Sequence, residues 1–153
     1  MDRMVVHSPL GPLTLTASET ALTGIAFGGE PDGADASSPV LEQAARELTE
    51  YFAGKRQEFT VPLAPEGTAF QRGVWEELRK VPYGETASYK DIAVRLGKPG
   101  AAIAVGQANS KNPIPIIIPC HRVIGASGRM VGYTGGLHIK KALLEIEGIS
   151  CKE

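Results

Sequence analysis

The chain has 153 residues, is 42% hydrophobic and carries a formal net charge of −1. That composition supplies a packed core for one domain or two small ones, which argues against disorder over most of the length. Two cysteines make no disulfide framework, no run approaches the ~20 apolar residues that cross a bilayer, and the near-zero total charge at first speaks against nucleic acid.

The charge is unevenly spread. Residues 1–65 carry four basic and nine acidic side chains, net −5, whereas residues 66–153 carry twelve and eight, net +4. A mildly basic C-terminal part suits a domain that touches phosphates, although chance segregation of solvated charges would give the same split. The opening MDRMVVHSPLG has no long apolar stretch of the signal-peptide kind, and free thiols fit a reducing compartment. The expectation is a cytoplasmic protein with no membrane attachment. Cys151 lies close to the C-terminus, where order declines.

In chain order, Met4–His7, Leu13–Thr16 and Leu22–Phe27 are short, apolar and partly β-branched, with Pro9-Leu10-Gly11-Pro12 as a turn, and they predict an antiparallel meander. Gly28 to Ser38 is a polar loop. Ser38 as N-cap and Pro39 in the first turn start a helix whose apolar positions Leu41, Ala44, Ala45, Leu48 and Phe52 follow the helical period. Ala53-Gly54-Lys55 ends it, Gln57–Val61 predicts a further strand, and Pro62 to Gly67 is a linker. This first domain, residues 1–65, is a small sheet with one helix and a supporting role.

The second domain, residues 66–153, begins with a helix over Phe70–Val81, stopped at Val81-Pro82-Tyr83-Gly84. Ser88 caps Tyr89–Leu96, with Asp91 completing a capping box. Gly97-Lys98-Pro99-Gly100 turns the chain into a short helix, Ala101–Asn109. The pair predicts a helix-turn-helix. Ala101, Ala102, Ala104, Gly106 and Ala108 give the second helix a smooth face, suited either to a neighbouring helix or to the minor groove of DNA. Gly125–Gly136 is a glycine-rich loop, and Leu137–Glu147 is a last helix closed by Gly148.

Between them lies Asn112–Val123, reading NPIPIIIPCHRV. Its three prolines suit neither a helix nor a central strand, and its four isoleucines are apolar enough to be buried. The segment can hold one thiol, Cys120, in place; an ordinary core cysteine is the competing account. Side chains alternate along an extended segment, so His121 should not touch the Cys120 sulfur, and a water would carry the proton between them. A thiol needs a base, and the base needs an orienting carboxylate. Glu147 is the candidate. A carboxylate suits the C-terminal end of a helix poorly, so either a partner holds Glu147 there or it is a surface residue. Such a relay predicts a Cys120 thiol that ionises below its ordinary value. His7 and His138 have no companions of this kind. Zinc-site spacing, a Walker A sequence and GxGxxG are all missing, so no metal or cofactor is expected.

Pro119-Cys120-His121-Arg122-Val123, preceded by Asn112-Pro113-Ile114-Pro115 and followed by Tyr133-Thr134-Gly135-Gly136-Leu137, resembles the signature of the O6-alkylguanine-DNA alkyltransferases. The likeness runs from about residue 66 to 148. It implies an α+β fold: a small ribonuclease-H-like sheet-plus-helix domain, then a mostly helical domain with a helix-turn-helix and an active-site cysteine loop. It also implies irreversible, stoichiometric transfer of an alkyl group from O6-alkylguanine in double-stranded DNA to Cys120, by a monomer without cofactor. His121 would take the thiol proton, Glu147 would orient His121, and Asn112 would brace the turn. Tyr89 would protonate the departing base. The carbonyls of Cys120 and Val123 and the Thr134 N–H would meet the guanine, walled by Pro115 and Tyr133. DNA contacts would fall on Tyr89, Ala101, Ala102, Ile103, Ala104, Gly106, Ser110 and Arg122. The base must be flipped out of the stack to reach a buried sulfur.

One departure stands out. The family resembled here usually has arginine where this chain has Ile103, as a wedge that fills the gap left by the flipped base. Ile103 keeps bulk and loses donors and charge. Two other readings remain: a module that binds alkylguanine in DNA without repairing it, against which Cys120 argues, and a cysteine hydrolase, which needs an oxyanion hole and turnover.

Overall fold

The computed structural model describes residues 2–29, 38–125, 133 and 136–149. Parts of the two expected loops, together with Thr134 and Cys151, lie outside the described residues. The chain divides into two compact units, Met1–Glu66 and Gly67–Glu153.

In the first unit, β1 (Asp2–Val6), β2 (Leu13–Ala17) and β3 (Leu22–Phe27) form an antiparallel sheet in the order β1-β2-β3. Met4 pairs with Leu15, and Leu15 with Ile25. Along β2 the buried Leu13, Leu15 and Ala17 alternate with half-buried Thr14 and Thr16, the two-residue period of a sheet with one covered face. The cover is α1 (Pro39–Phe52), which buries Leu41, Ala44, Leu48 and Tyr51. Ser38 is extended, its hydroxyl accepts from the Leu41 N–H at 3.2 Å, and Pro39 takes the first turn.

Gln57–Val61 is not a strand. The amides of Thr60 and Val61, which a strand would spend on a ladder, donate instead to the carboxylate of Glu47 on α1, at 2.9 and 3.1 Å. The chain meets the sheet only further on, where Leu22 N–H donates to Pro62 O and Ala64 N–H to Leu22 O.

The second unit contains α2 (Ala69–Leu78), β4 (Ala87–Ser88), α3 (Tyr89–Arg95), α4 (Ala102–Ser110), a 3₁₀ turn (Cys120–Arg122), β5 (Val123–Ile124) and α5 (Leu137–Ile146). Capping boxes open α2, from Thr68 and Gln71, and α3, from Ser88 and Asp91. Past Leu78 the chain tightens, with Lys80 N–H on Glu77 O and Val81 N–H on Leu78 O, so α2 stops short of Val81. Trp75, 2% exposed, crosses to α4 and donates its Nε1–H to Ala108 O at 2.9 Å. A parallel ladder that the sequence pattern does not announce pairs Ala87 with Val123 and Ser88 with Ile124. It ties the start of α3 to the chain just past the cysteine.

Candidate active site

The proline-rich segment folds back on one side chain. Asn112, 4% exposed, donates its Nδ2–H to Ile118 O at 2.8 Å and accepts the Ile114 N–H on Oδ1 at 3.0 Å. Ile118 N–H reaches Ile114 O, and Cys120 N–H reaches Ile118 O at 2.7 Å. Ile116 sits at φ 75°, where a β-branched residue is strained by about 1–3 kcal/mol, inside a run of buried isoleucines that holds it there. The strain is spent on a turn that delivers Cys120 to the 3₁₀ turn at 1% exposure.

The expected low-pKa thiol is not what the structure gives. Burial pushes the Cys120 thiol up. Asn112, Tyr133 and the Lys140 charge oppose that shift without cancelling it. The resting group is a protonated thiol, and the proton has to leave during reaction. His121 is fully buried and its Nε2 lies 2.7 Å from Glu147 Oε2. Burial drives its pKa down, Glu147 opposes, and Arg122 and Lys140 add to the lowering, so the ring is neutral and able to accept a proton. Its Nδ1 is buried with no hydrogen-bond partner among the described residues.

Glu147 is the C-cap residue of α5, with no side-chain exposure. Its partner is double: besides His121, Arg122 donates Nε–H to Oε1 at 2.8 Å and an Nη2–H to Oε2 at 3.1 Å. These donors offset an acid at the negative end of a helix. Arg122 therefore needs correcting as an expected DNA contact. It is 6% exposed, and its third nitrogen, Nη1, donates to Val81 O at 2.8 Å, so all three nitrogens of the guanidinium are engaged inside the protein.

Tyr89 opens α3 half-buried, and its hydroxyl pKa is raised by burial first and further by Cys120 when that thiol is ionised. A Cβ at Gly106 would lie 3.8 Å from the Tyr89 ring, so the ring rests on the smooth side of α4. Pro115 and Val123 are buried, and Tyr133 is half-buried. Ala101, Ala102 and Ala104 are partly exposed, Ser110 is exposed, and Ile103 stands out at 81% exposure.

Two buried groups join the site beyond those expected. Lys140 on α5 has no exposure and donates Nζ–H to Val123 O at 2.7 Å. Its signal is present in the sequence: Lys140, Leu143, Leu144 and Glu147 share one helix stripe, so a lysine and a glutamate interrupt an apolar face at helical spacing. Asn109, 4% exposed, directs Nδ2 at Cys120 O from 3.4 Å.

A buried thiol next in sequence to a neutral imidazole, itself held by a clamped carboxylate, is an arrangement that can activate one cysteine as a nucleophile. Two family models divide the chain: the ribonuclease-like domain of 6-O-methylguanine DNA methyltransferase matches residues 3–65, and its DNA-binding domain matches residues 69–149. A methylated-DNA–protein-cysteine methyltransferase of Methanosarcina acetivorans is 48% identical, over 96% of this chain and 97% of its own. The constitutive one of Bacillus subtilis is 45% identical over 96% and 95%. The crystal structure of Mycobacterium tuberculosis OGT in complex with DNA matches with a TM-score of 0.88 at 47% identity, covering 96% of this chain and 92% of that one. The chain belongs to the 6-O-methylguanine DNA methyltransferase family.

Proposed function

We propose that this protein repairs DNA by direct reversal, moving the alkyl group of O6-alkylguanine in a duplex onto Cys120, once per molecule. The observation that carries the reading is the buried thiol next in sequence to a neutral His121 held by Glu147. The Cys120 proton passes through a water to His121 Nδ1, and the sulfur attacks the alkyl carbon. The C–O6 bond breaks, its electron pair stays with the guanine, and the Tyr89 hydroxyl protonates that base at N3. The proton held on His121 leaves to solvent and the Tyr89 phenolate takes one back, so the net exchange replaces the thiol hydrogen by alkyl and gives the guanine one hydrogen. A thioether has no good leaving group, so the thiol is not regenerated.

Asn112 holds the turn, and the carbonyls of Cys120 and Val123 receive the guanine amine. The Val123 carbonyl has a donor in Lys140 and keeps a second lone pair for the base, whereas the Cys120 carbonyl already accepts from the Val123 N–H and from Asn109, so the base takes the place of the longer 3.4 Å Asn109 contact. Pro115 and Tyr133 wall the pocket. The start of α4, with its N-cap Ala101 and Ala102, Ile103, Ala104 and Gly106, enters the minor groove beside Tyr89, with Ser110 at its far end. No described helix is long and apolar enough to cross a membrane. The protein acts as a cytoplasmic monomer.

Intact mass after mixing with an O6-methylguanine duplex tests the reading. One methyl should appear, peptide mapping should put it on Cys120 and not Cys151, and Cys120→Ala should abolish it. Methyl on Cys151, or guanine released beyond one equivalent, would overturn it; the second outcome points to a hydrolase.

A further inference from the structure

Arg122 is a large buried cation with no part in the proton and alkyl transfers themselves. Its guanidinium meets two other segments: Nε and Nη2 donate to both oxygens of Glu147 at the end of α5, and Nη1 donates to Val81 O after α2. Its central carbon lies 5.7 Å from the ring centroid of Tyr83, whose hydroxyl donates to Ile146 O at 3.2 Å. We propose that Arg122 is a positioning residue that sets the tautomer of His121 by keeping Glu147 a carboxylate.

The argument is one of donors and acceptors. A guanidinium only donates, so both oxygens that face it must accept. Glu147 Oε2 takes a bond from Arg122 and the bond shared with His121 Nε2. A carboxylate at Oε2 leaves the His121 side no choice: Nε2 carries the hydrogen and donates. Nδ1 of the neutral ring is then the bare lone pair, and it is the nitrogen without a partner among the described residues. That is the nitrogen a base on the Cys120 side needs. Without Arg122, a carboxyl buried this deeply can hold a proton and donate it to Nε2, which moves the ring hydrogen to Nδ1 and blocks proton uptake there. The alternative, imidazolium beside carboxylate, blocks it equally. Both states hold one extra proton on the pair, so removing Arg122 makes the pair fill at higher pH.

The charged and titratable groups that act on His121 are Glu147 and Lys140 from α5 and Arg122 from its own turn. Tyr83 sits behind Arg122. Arg122→Met leaves Lys140 in place and removes one of the two cations that hold the imidazole neutral.

The inference rests on His121 as the base for Cys120, and the experiment separates the two. Single-turnover transfer from free O6-benzylguanine is followed from pH 6 to 9 in the full chain, Arg122→Met and Arg122→Lys. In Arg122→Met the rising limb should move to higher pH. The rate at neutral pH should fall roughly tenfold for each whole pH step the limb moves, and the deficit should close towards pH 9. Arg122→Lys keeps the charge and loses the fork, so its limb should stay in place under a lower plateau. A uniform loss at every pH in Arg122→Met, or identical profiles for both variants, would overturn the proposal. Nitrogen-15 NMR of His121 in the unsubstituted chain needs no variant to fold. Nε2 should appear as the protonated nitrogen and Nδ1 as the bare one, and the reverse overturns the tautomer assignment. An unchanged rate in His121→Ala would instead remove the base itself, and with it the reading beneath.

Discussion

Two glutamates, one in each unit, are almost completely hidden from solvent. Glu47 on α1 accepts from the Thr60 and Val61 amides, the Thr60 hydroxyl at 2.7 Å and Gln43 Nε2 at 2.9 Å, while Arg56 Nη1 stands off at 4.0 Å. Glu147 accepts from an imidazole and twice from a guanidinium. Neutral donors that belong to passing chain make a staple. A guanidinium and an imidazole that follow a buried cysteine in sequence make a charge the proposed chemistry can draw on. Burial of a carboxylate is thus no sign of a functional site until its partners are named.

The largest expected effect is at Glu147. Glu147→Gln leaves Arg122 buried without a carboxylate, at a cost of about 3–5 kcal/mol in urea unfolding. Alkyl transfer should slow by roughly 10²-fold or more, the scale on which a positioned base contributes. Single-turnover rates measured where both proteins are folded would separate the two losses. A variant that loses stability and keeps its rate would make Glu147 a second staple, and the contrast would collapse.

Glu47→Gln should cost less, about 1–3 kcal/mol, because its amide would point a donor at Gln43 and the Thr60 hydroxyl. Reaction with free O6-benzylguanine should be unchanged, and a slower rate would show that the staple matters to the site. The pH dependence follows. Burial alone would raise the Glu47 pKa, yet its four hydrogen bonds outweigh that and leave it below the ordinary carboxylate value. A lowered folded pKa gives stability that is present above the unfolded pKa and lost as pH falls through the folded one. Urea midpoints of the unsubstituted chain and Glu47→Gln should therefore converge in acid. A gap that stays constant as the pH falls below about 4, the ordinary carboxylate range, would contradict the ionised staple.

How legible these sites are in the sequence depends on whether the cue is local. The α1 start at Ser38-Pro39, the Ser88–Asp91 box and the Cys120-His121 pair are each spelled by neighbouring residues. Glu147 can be singled out because an acid at a helix C-terminus asks for a partner. His121 is the partner the relay asks for, but the second cannot be read: Arg122 is 25 residues away in sequence, and it looks like a surface base because adjacent side chains normally face apart. The 3₁₀ turn at Cys120–Arg122 breaks that alternation and turns the guanidinium inward. Gln57–Val61 misleads for a similar reason. Its pattern suits a strand, but a carboxylate from α1 takes the amides. The β4–β5 ladder is two residues long and parallel, too short to leave a periodic trace.

The smallest expected effect lies outside both carboxylate clusters, at Ile103, and it tests whether the site's chemistry is separate from DNA distortion. Ile103 is 81% exposed on α4, an apolar side chain where the protein has no interior reason for one. As a wedge it can fill the space of a flipped base, but it cannot hydrogen-bond the cytosine left behind. Each unsatisfied group excluded from water costs on the order of 1–3 kcal/mol, and the penalty falls only on the flipped state. An arginine would add up to about five donors and one charge there. Ile103→Arg should therefore speed repair of duplex DNA several-fold and leave the second-order constant for free O6-benzylguanine within about twofold. Equal duplex rates would mean that isoleucine suffices as the wedge or that another residue supplies the contact. A large change with the free base would mean that α4, through Tyr89 resting on Gly106, is mechanically joined to the pocket, and flipping and transfer could no longer be treated as separable steps.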